Sequence, residues 1–254
     1  MIDRFLTDLI QETRALALTY WRDGFAIETK PDRSLVTEAD KAVEALIRDR
    51  LAKAFPQDGI YGEEYGTEGL EAERVWVIDP IDGTQAFVMG IPVFSTLIAL
   101  MQAGEVVQAV ADFPAMDLCF SAARGAGAQM NGEDVQVSSC SDLAAATLTA
   151  TSTTMFIPET DPGQGFERLV TETSSVRFGL DAYGFCSLAR GRVDLGVEAC
   201  LKPYDYLAPS LIVSEAGGLM TDWGGRALGL EGDGRVLAAA TPELHSQALK
   251  ILSQ

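Results

Sequence analysis

Histidine occurs once in the 254 residues, as His245. A hydrolase built on a histidine base or nucleophile is therefore disfavoured. His245 follows Thr241-Pro242-Glu243, an expected helix start, and is far in sequence from every acidic motif. It reads as a surface or helix-packing residue. Cysteine is also sparse: Cys119, Cys140, Cys186 and Cys200 form no CxxC pair. None opens the arginine-closed phosphate loop that cysteine phosphatases need, and a chain this long folds without disulfide staples. They are expected to be buried or inert thiols. Basic residues are few, 19 against 37 acidic, for a net charge of −18. So negative a surface repels phosphate backbones and anionic lipid, which makes nucleic acid and membrane poor partners. No apolar run is long enough to span a bilayer. Met1-Ile2-Asp3-Arg4-Phe5 does not open a secretion signal, so a reducing cytoplasm is the expected location. Repeats and low-complexity linkers are absent as well.

What is present fits a packed globule: 47 % hydrophobic and 22 % charged residues. Residues 1–254 read as a single unit. A change in character near 125–145 suggests two α/β halves, 1–135 and 136–254. Phe5, Leu6, Leu9, Ile10, Leu16, Ala17 and Tyr20 recur at helical spacing over 3–22. Thr37-Glu38-Ala39-Asp40 looks like a capped helix start, continued by Val43, Leu46, Ile47 and Leu51. Pro56, Gly59, Gly62, Gly66 and Gly69 predict a loop. Val75-Trp76-Val77-Ile78 predicts a short strand that stops at Asp79. Further strands are expected near 93–101, 105–112, 117–123, 146–151, 193–198 and 235–240. Helices are expected near 181–190, from about Tyr206 to Gly217, and after Thr241. Pro209 should sit near the first turn of its helix, or kink it. The pattern is α/β without the regular alternation of a barrel.

Three acidic segments carry the chemistry: Gly62-Glu63-Glu64, Asp79-Pro80-Ile81-Asp82-Gly83-Thr84, and Lys202-Pro203-Tyr204-Asp205-Tyr206-Leu207-Ala208. In the second, Pro80 fixes the backbone as it turns, so Asp82 can point into the same volume as Asp79. Gly83 allows close approach to the main chain. If a turn or helix follows, the amides of Gly83 and Thr84 form an anion cradle. Mg²⁺ takes oxygen ligands from carboxylates and from a substrate phosphate, and paired ions suit displacement at phosphorus. Aspartates in a turn can also merely accept backbone amides. The full hexapeptide after a hydrophobic run, with two acidic companions, favours the metal reading.

Several motifs in one order resemble the inositol monophosphatase superfamily of lithium-sensitive, magnesium-dependent phosphatases. They are Lys30 with Ser34-Leu35-Val36-Thr37-Glu38-Ala39-Asp40, Gly62-Glu63-Glu64, and Trp76 through Thr84. Gly125-Ala126-Gly127-Ala128 with Asn131-Gly132, Tyr204 through Pro209, and Glu215-Ala216-Gly217-Gly218 complete the series. The resemblance implies a layered αβαβα sandwich, a homodimer, and two or three Mg²⁺ ions. By motif, Glu63, Asp79 and the main-chain oxygen of Ile81 would hold one ion, and Asp79, Asp82 and Asp205 a second. Glu63 would also help with a weaker third. Glu63, Thr84 and Asp40 would form the catalytic set, the latter two orienting or deprotonating the attacking water. Asp82, Gly83 and Thr84 would line the phosphate site. Tyr204 stands where inositol phosphatases commonly carry tryptophan.

Phe87 through Leu100, Gly191-Arg192-Val193-Asp194-Leu195 and Leu201 through Asp205 resemble the histidinol-phosphate phosphatase branch. Glu198 would contact the substrate and suit its cationic groups; otherwise it caps a strand end or pairs with Arg192. Inositol phosphate is the alternative substrate, followed by adenosine bisphosphate and fructose bisphosphate. A catalytically silent binding protein would need a lost ligand, yet all four proposed ligand side chains are acidic.

Overall fold

The computed structural model describes residues 4–29, 35–161 and 164–253. Lys30 and Ser34 of the N-terminal motif lie outside the described residues. Helix α1 (Arg4–Asp23) buries Leu6, Leu9, Ile10 and Ala17, the stripe its periodicity predicts. The antiparallel pair β1 (Ile27–Thr29) and β2 (Leu35–Thr37) leads into α2 (Glu38–Ala54). A capping box starts α2. Asp40 accepts the amide of Thr37 at 2.8 Å, and Thr37 Oγ1 accepts the amides of Ala39 and Asp40.

The chain continues through β3 (Gly59–Gly62), β4 (Gly66–Glu68), β5 (Arg74–Asp82), α3 (Thr84–Met89), β6 (Ser95–Gln102) and β7 (Glu105–Phe113). It then forms β8 (Leu118–Ala123), β9 (Ala128–Met130) and β10 (Glu133–Val135). Among the described residues these strands make an eight-stranded sheet of order β10-β9-β8-β7-β6-β5-β3-β4. The later elements are β11 (Thr147–Ala150), α4 (Gly165–Glu172), β12 (Ser175–Phe178), α5 (Ala182–Ala189) and β13 (Leu195–Glu198). They are followed by α6 (Pro203–Glu215), β14 (Leu219–Asp222), β15 (Val236–Ala239) and α7 (Pro242–Leu252). The second sheet has order β12-β11-β13-β15-β14.

Strand alternation sorts the apolar residues into layers. Trp76, Ile78, Ile98, Leu100 and Val110 face one way and pack on α1 and α2. Val75, Val77, Leu97, Ala99 and Ala111 face the other way, onto α5 and α6. The same central cluster takes in Val236 and Ala238 of the second sheet. Leu237 and Ala239 point away from it, to Phe166, Leu169, Leu244 and Ala248 of α4 and α7. The stacking is therefore helices, sheet, helices, sheet, helices: the αβαβα sandwich.

The structure corrects three local expectations. Residues 59–68 form a hairpin rather than a loop. Their glycines allow close approach instead of breaking the chain: a Cβ on Gly59 would lie 2.2 Å from the Gly69 carbonyl oxygen. The strand at Val75 does not stop at Asp79 but runs to Asp82, with a register shift between the two. Pro80 has no N–H to donate, so the ladder slips rather than ends. Finally, α6 starts at Pro203, three residues before the expected start. Pro203 is the first helical residue, where proline is well suited, and Asp205 accepts the amide of Lys202 at 2.6 Å. Pro209 consequently lies inside the helix and leaves the Asp205 carbonyl without its i+4 donor.

Candidate active site

The slip in β5 builds the centre of the site. In a regular strand, residues three apart face opposite sides. The irregularity between Asp79 and Asp82 lets both contribute to one cluster. Asp205, in the first turn of α6, joins them, and one oxygen from each of the three carboxylates lies within 4.8 Å of the others. A cleft of about 470 Å³ opens over this cluster, with Glu63, Thr84, Asp181, Glu198 and Asp205 in its walls.

Each carboxylate is tied to a different element. Asp82 accepts Ser95 Oγ at 3.2 Å and the amide of Ala182 at 3.0 Å, which fastens the start of α5 to the first sheet. Thr84 Oγ1 lies 3.3 Å from Asp40 Oδ1 and 3.1 Å from the Ile81 carbonyl oxygen. The other oxygen of Asp40 is occupied by Thr37. Gly83 has φ 75°, a left-handed conformation that glycine adopts freely, and helix α3 begins at the next residue. The sequence condition for an amide cradle, a helix or turn after Gly83, is therefore present.

Burial dominates the electrostatics. It raises Asp79 well above the usual carboxylate range, and Glu63 and Asp82 add to the effect. Asp82 is raised well above that range by burial, then by Asp181 and Asp205. Asp205 reaches about 7, again mainly through burial, despite bonds that favour its charged form. Asp40 is raised by burial against the bonds from Thr37 and Thr84. Asp79 Oδ1 is buried without a hydrogen-bond partner. A hard cation would satisfy the orphaned oxygen and relieve the crowded carboxylates together. Oxygen-only donors of this kind suit Mg²⁺.

Glu198 ends β13 and is 4 % exposed. Its Oε1 accepts the amide and the hydroxyl of Thr151 at 2.7 and 2.9 Å. Thr151, not Arg192, is its partner. Its Oε2 is buried without one, and burial lifts its pKa to about 8. Tyr204 packs against Tyr61, ring centroids 6.1 Å apart, and burial raises its hydroxyl beside Glu63 and Asp205.

The sequence reading missed Asp181. It precedes α5 at φ 48°, makes no capping bond, and sits against Gly83, where an added Cβ would be 3.1 Å from its Oδ2. Burial brings it to about 6. The sequence placed a helix start near 181 but gave no sign that this carboxylate faces the site. Cys200 also departs from expectation: it is exposed and lines the cleft. His245 meets its packing role, with Nε2 2.8 Å from Thr221 Oγ1 in a buried position outside the cleft. No helix among the described residues is long and apolar enough to cross a membrane.

Known proteins are similar to this chain over nearly their whole length. A histidinol-phosphatase from Chlorobaculum parvum is 37 % identical over 234 residues, covering 91 % of this chain and 89 % of its own. An inositol monophosphatase from Dictyostelium discoideum is 34 % identical over 265 residues, covering 99 % and 96 %. The solved inositol monophosphatase from Zymomonas mobilis superposes with a TM-score of 0.89 at 34 % identity, over 99 % of this chain and 97 % of that one. The profile described as "Inositol monophosphatase family" matches residues 2–254, and with the acidic cluster at the slipped strand the chain belongs to that family of magnesium-dependent phosphomonoester hydrolases.

Proposed function

We propose that the chain hydrolyses histidinol phosphate. The observation that carries this reading is Glu198, a buried carboxylate in the cleft wall with one oxygen satisfied by Thr151 and one without a partner. Burial raises its pKa, and a positive charge beside the free oxygen would offset that cost. An ammonium or imidazolium on the leaving group would supply it, whereas a neutral polyol would not. Asp181, in the same cleft, adds to the preference for a cation. Similarity to a histidinol-phosphatase over nine-tenths of the chain supports the same choice. Inositol phosphate stays the second reading, supported by the Dictyostelium relative.

In this reading Glu63, Asp79 and the Ile81 carbonyl would hold one Mg²⁺, and Asp79, Asp82 and Asp205 would hold another. Bound there, Mg²⁺ supplies Lewis-acid neutralisation of phosphate oxygens and makes water more acidic. The amides of Gly83 and Thr84 hold the phosphate. Asp40 accepts from the Thr84 hydroxyl, and the pair orients the attacking water, with the carboxylate as proton acceptor. Glu198 and Asp181 hold the leaving alcohol by its cationic end.

Steady-state kinetics on histidinol phosphate, inositol phosphate, adenosine bisphosphate and fructose bisphosphate test the assignment, with histidinol phosphate expected to show the highest kcat/KM. Glu198→Gln should lower kcat/KM on histidinol phosphate about ten- to a hundredfold, the worth of one charge-assisted hydrogen bond. The loss on inositol phosphate should be smaller. A wild-type preference for inositol phosphate, or equal losses on both substrates, would return the chain to the second reading.

A further inference from the structure

Glu44 is a fully buried carboxylate that no step above uses. It lies on α2 one turn beyond Asp40, on the same helix face. Its Oε2 accepts the amide of Glu64 at 2.7 Å, and its Oε1 accepts the amide of Tyr65 at 3.2 Å. Arg48, one further turn along, donates from Nε to Glu44 Oε1 at 2.8 Å and from Nη2 to the carbonyl of Gly66. The Glu63 amide itself bonds the Ile78 carbonyl of β5, immediately before Asp79, at 3.2 Å. Every backbone amide of the turn at residues 63–65 is thus anchored, one by β5 and two by Glu44.

The hairpin is shaped around this carboxylate. A Cβ on Gly62 would lie 2.1 Å from Glu44 Oε1 and 2.7 Å from Arg48 Nη2. Only a residue without a side chain leaves room for the clamp beneath the turn. Hairpin tips are ordinarily the mobile part of a sheet, and burying a carboxylate is costly unless its oxygens are bonded. Here both oxygens of a buried acid are committed to holding a three-residue tip whose first side chain enters the cleft. Because α2 also presents Asp40 to Thr84, one rigid helix sets the hairpin tip and the Asp40–Thr84 pair in register.

We infer that Glu44, backed by Arg48, is a positioning residue. It fixes the backbone at 63–65 so that Glu63 presents its carboxylate to the acidic cluster, and divalent-cation affinity depends on it although it touches neither cation nor substrate. The inference rests on the reading of Glu63 as a metal ligand. Partners behind a metal ligand are typically worth about ten- to a hundredfold in metal affinity.

The test is Mg²⁺ binding by isothermal titration calorimetry on metal-free protein, alongside thermal unfolding without metal. Glu44→Gln keeps the shape but turns one acceptor into an NH₂ facing donors, and should raise the Mg²⁺ Kd about tenfold. Arg48→Met, milder at a partly exposed site, should raise it about threefold, and serves where Glu44→Gln does not fold. Asp161→Asn removes a buried carboxylate that accepts the amides of Gly165 and Phe166 at the start of α4. It should lower the unfolding temperature and leave Mg²⁺ affinity unchanged, as a merely structural carboxylate does. Adding Glu44→Gln to Glu63→Gln should cause no further loss of affinity, because the first acts through the second. Wild-type Mg²⁺ affinity in Glu44→Gln, or in Arg48→Met if the former is unfolded, would overturn the inference if Glu63→Gln binds weakly. Unchanged affinity in Glu63→Gln would overturn the ligand reading itself and leave Glu44 nothing to position.

Discussion

Asp82→Asn and Asp205→Asn should each lower turnover about a thousandfold at saturating Mg²⁺ with the fold intact. Each substitution removes one negative charge from a cluster whose oxygens approach within 4.8 Å. Metal-assisted stabilisation of developing charge is worth several kcal/mol, and about 4 kcal/mol corresponds to three decades in rate. The fold should survive because the structural bonds of both residues call for an acceptor oxygen, which asparagine retains. At Asp205 the donor is the Lys202 amide, and at Asp82 the donors are Ser95 and Ala182. Turnover of a generic phosphomonoester, with circular dichroism as the control for folding, reads the effect. Chelation should abolish wild-type turnover in the same assay. Near-wild-type kinetics in either variant would remove that carboxylate from the site. Undiminished activity in excess chelator would remove the metal reading.

The metal-free protein should become less stable as pH rises from 5 to 8. Burial, above all, pushes Asp205 up to about 7 in the folded protein from an ordinary 3.8. Glu198 is raised to about 8 from 4.5, and Asp181 to about 6 from 3.8. An acid whose folded pKa is raised binds more protons folded than unfolded. Its contribution is fully present below the unfolded pKa and is lost as pH rises through the folded one. For Asp205 the window is therefore roughly pH 4 to 7, and for Glu198 it extends to about 8. Losing the contribution of one such carboxyl between pH 5 and 7 costs about 3 kcal/mol, or roughly 5–10 °C in unfolding temperature for a chain of this size. Saturating Mg²⁺ should restore most of the loss at pH 8 by binding only the folded, ionised cluster. Asp205→Asn should flatten the metal-free profile. Differential scanning calorimetry at pH 5, 6, 7 and 8 with and without Mg²⁺ measures both effects. A metal-free unfolding temperature that rises across this range would contradict the assigned shifts.

The long, strongly periodic elements were legible in the sequence. The stripe of Leu6, Leu9 and Ile10 and the Thr37–Asp40 box specify α1 and α2 through local chemistry, and both appear where expected. Apolar, strand-forming runs did the same for β6, β7 and β8. The errors fell where tertiary contact decides. Gly59 and Gly62 look like chain breakers until the Gly69 carbonyl and the Glu44 carboxylate are seen against them. Asp79-Pro80 looks like a strand end until Thr96 is seen donating to the Pro80 carbonyl across the slipped register. Glu44 carries no local mark: one glutamate on a helix with an arginine four residues later reads as a surface pair. The acidic motifs were readable because chemistry, not packing, selects their residue types. Asp181 was not, because its importance arises only when α5 docks on Asp82 and Gly83.

The order of strands in the two sheets bears on how the site comes into being. From β5 to β10, each strand of the first sheet pairs with its sequence neighbour, so those contacts close short loops and can form early. In the second sheet β11 pairs in parallel with β12 and β13, which demands crossovers, and α6 must settle between the two layers. Asp205 is supplied by α6, far along the chain from the β5 residues Asp79 and Asp82. The three carboxylates therefore come together only when α6 is packed against the first sheet, and the acidic pocket exists only in the closed sandwich. A cation that takes all three carboxylates would bind only that closed form, and so would act as a latch on the finished structure rather than a template for the chain.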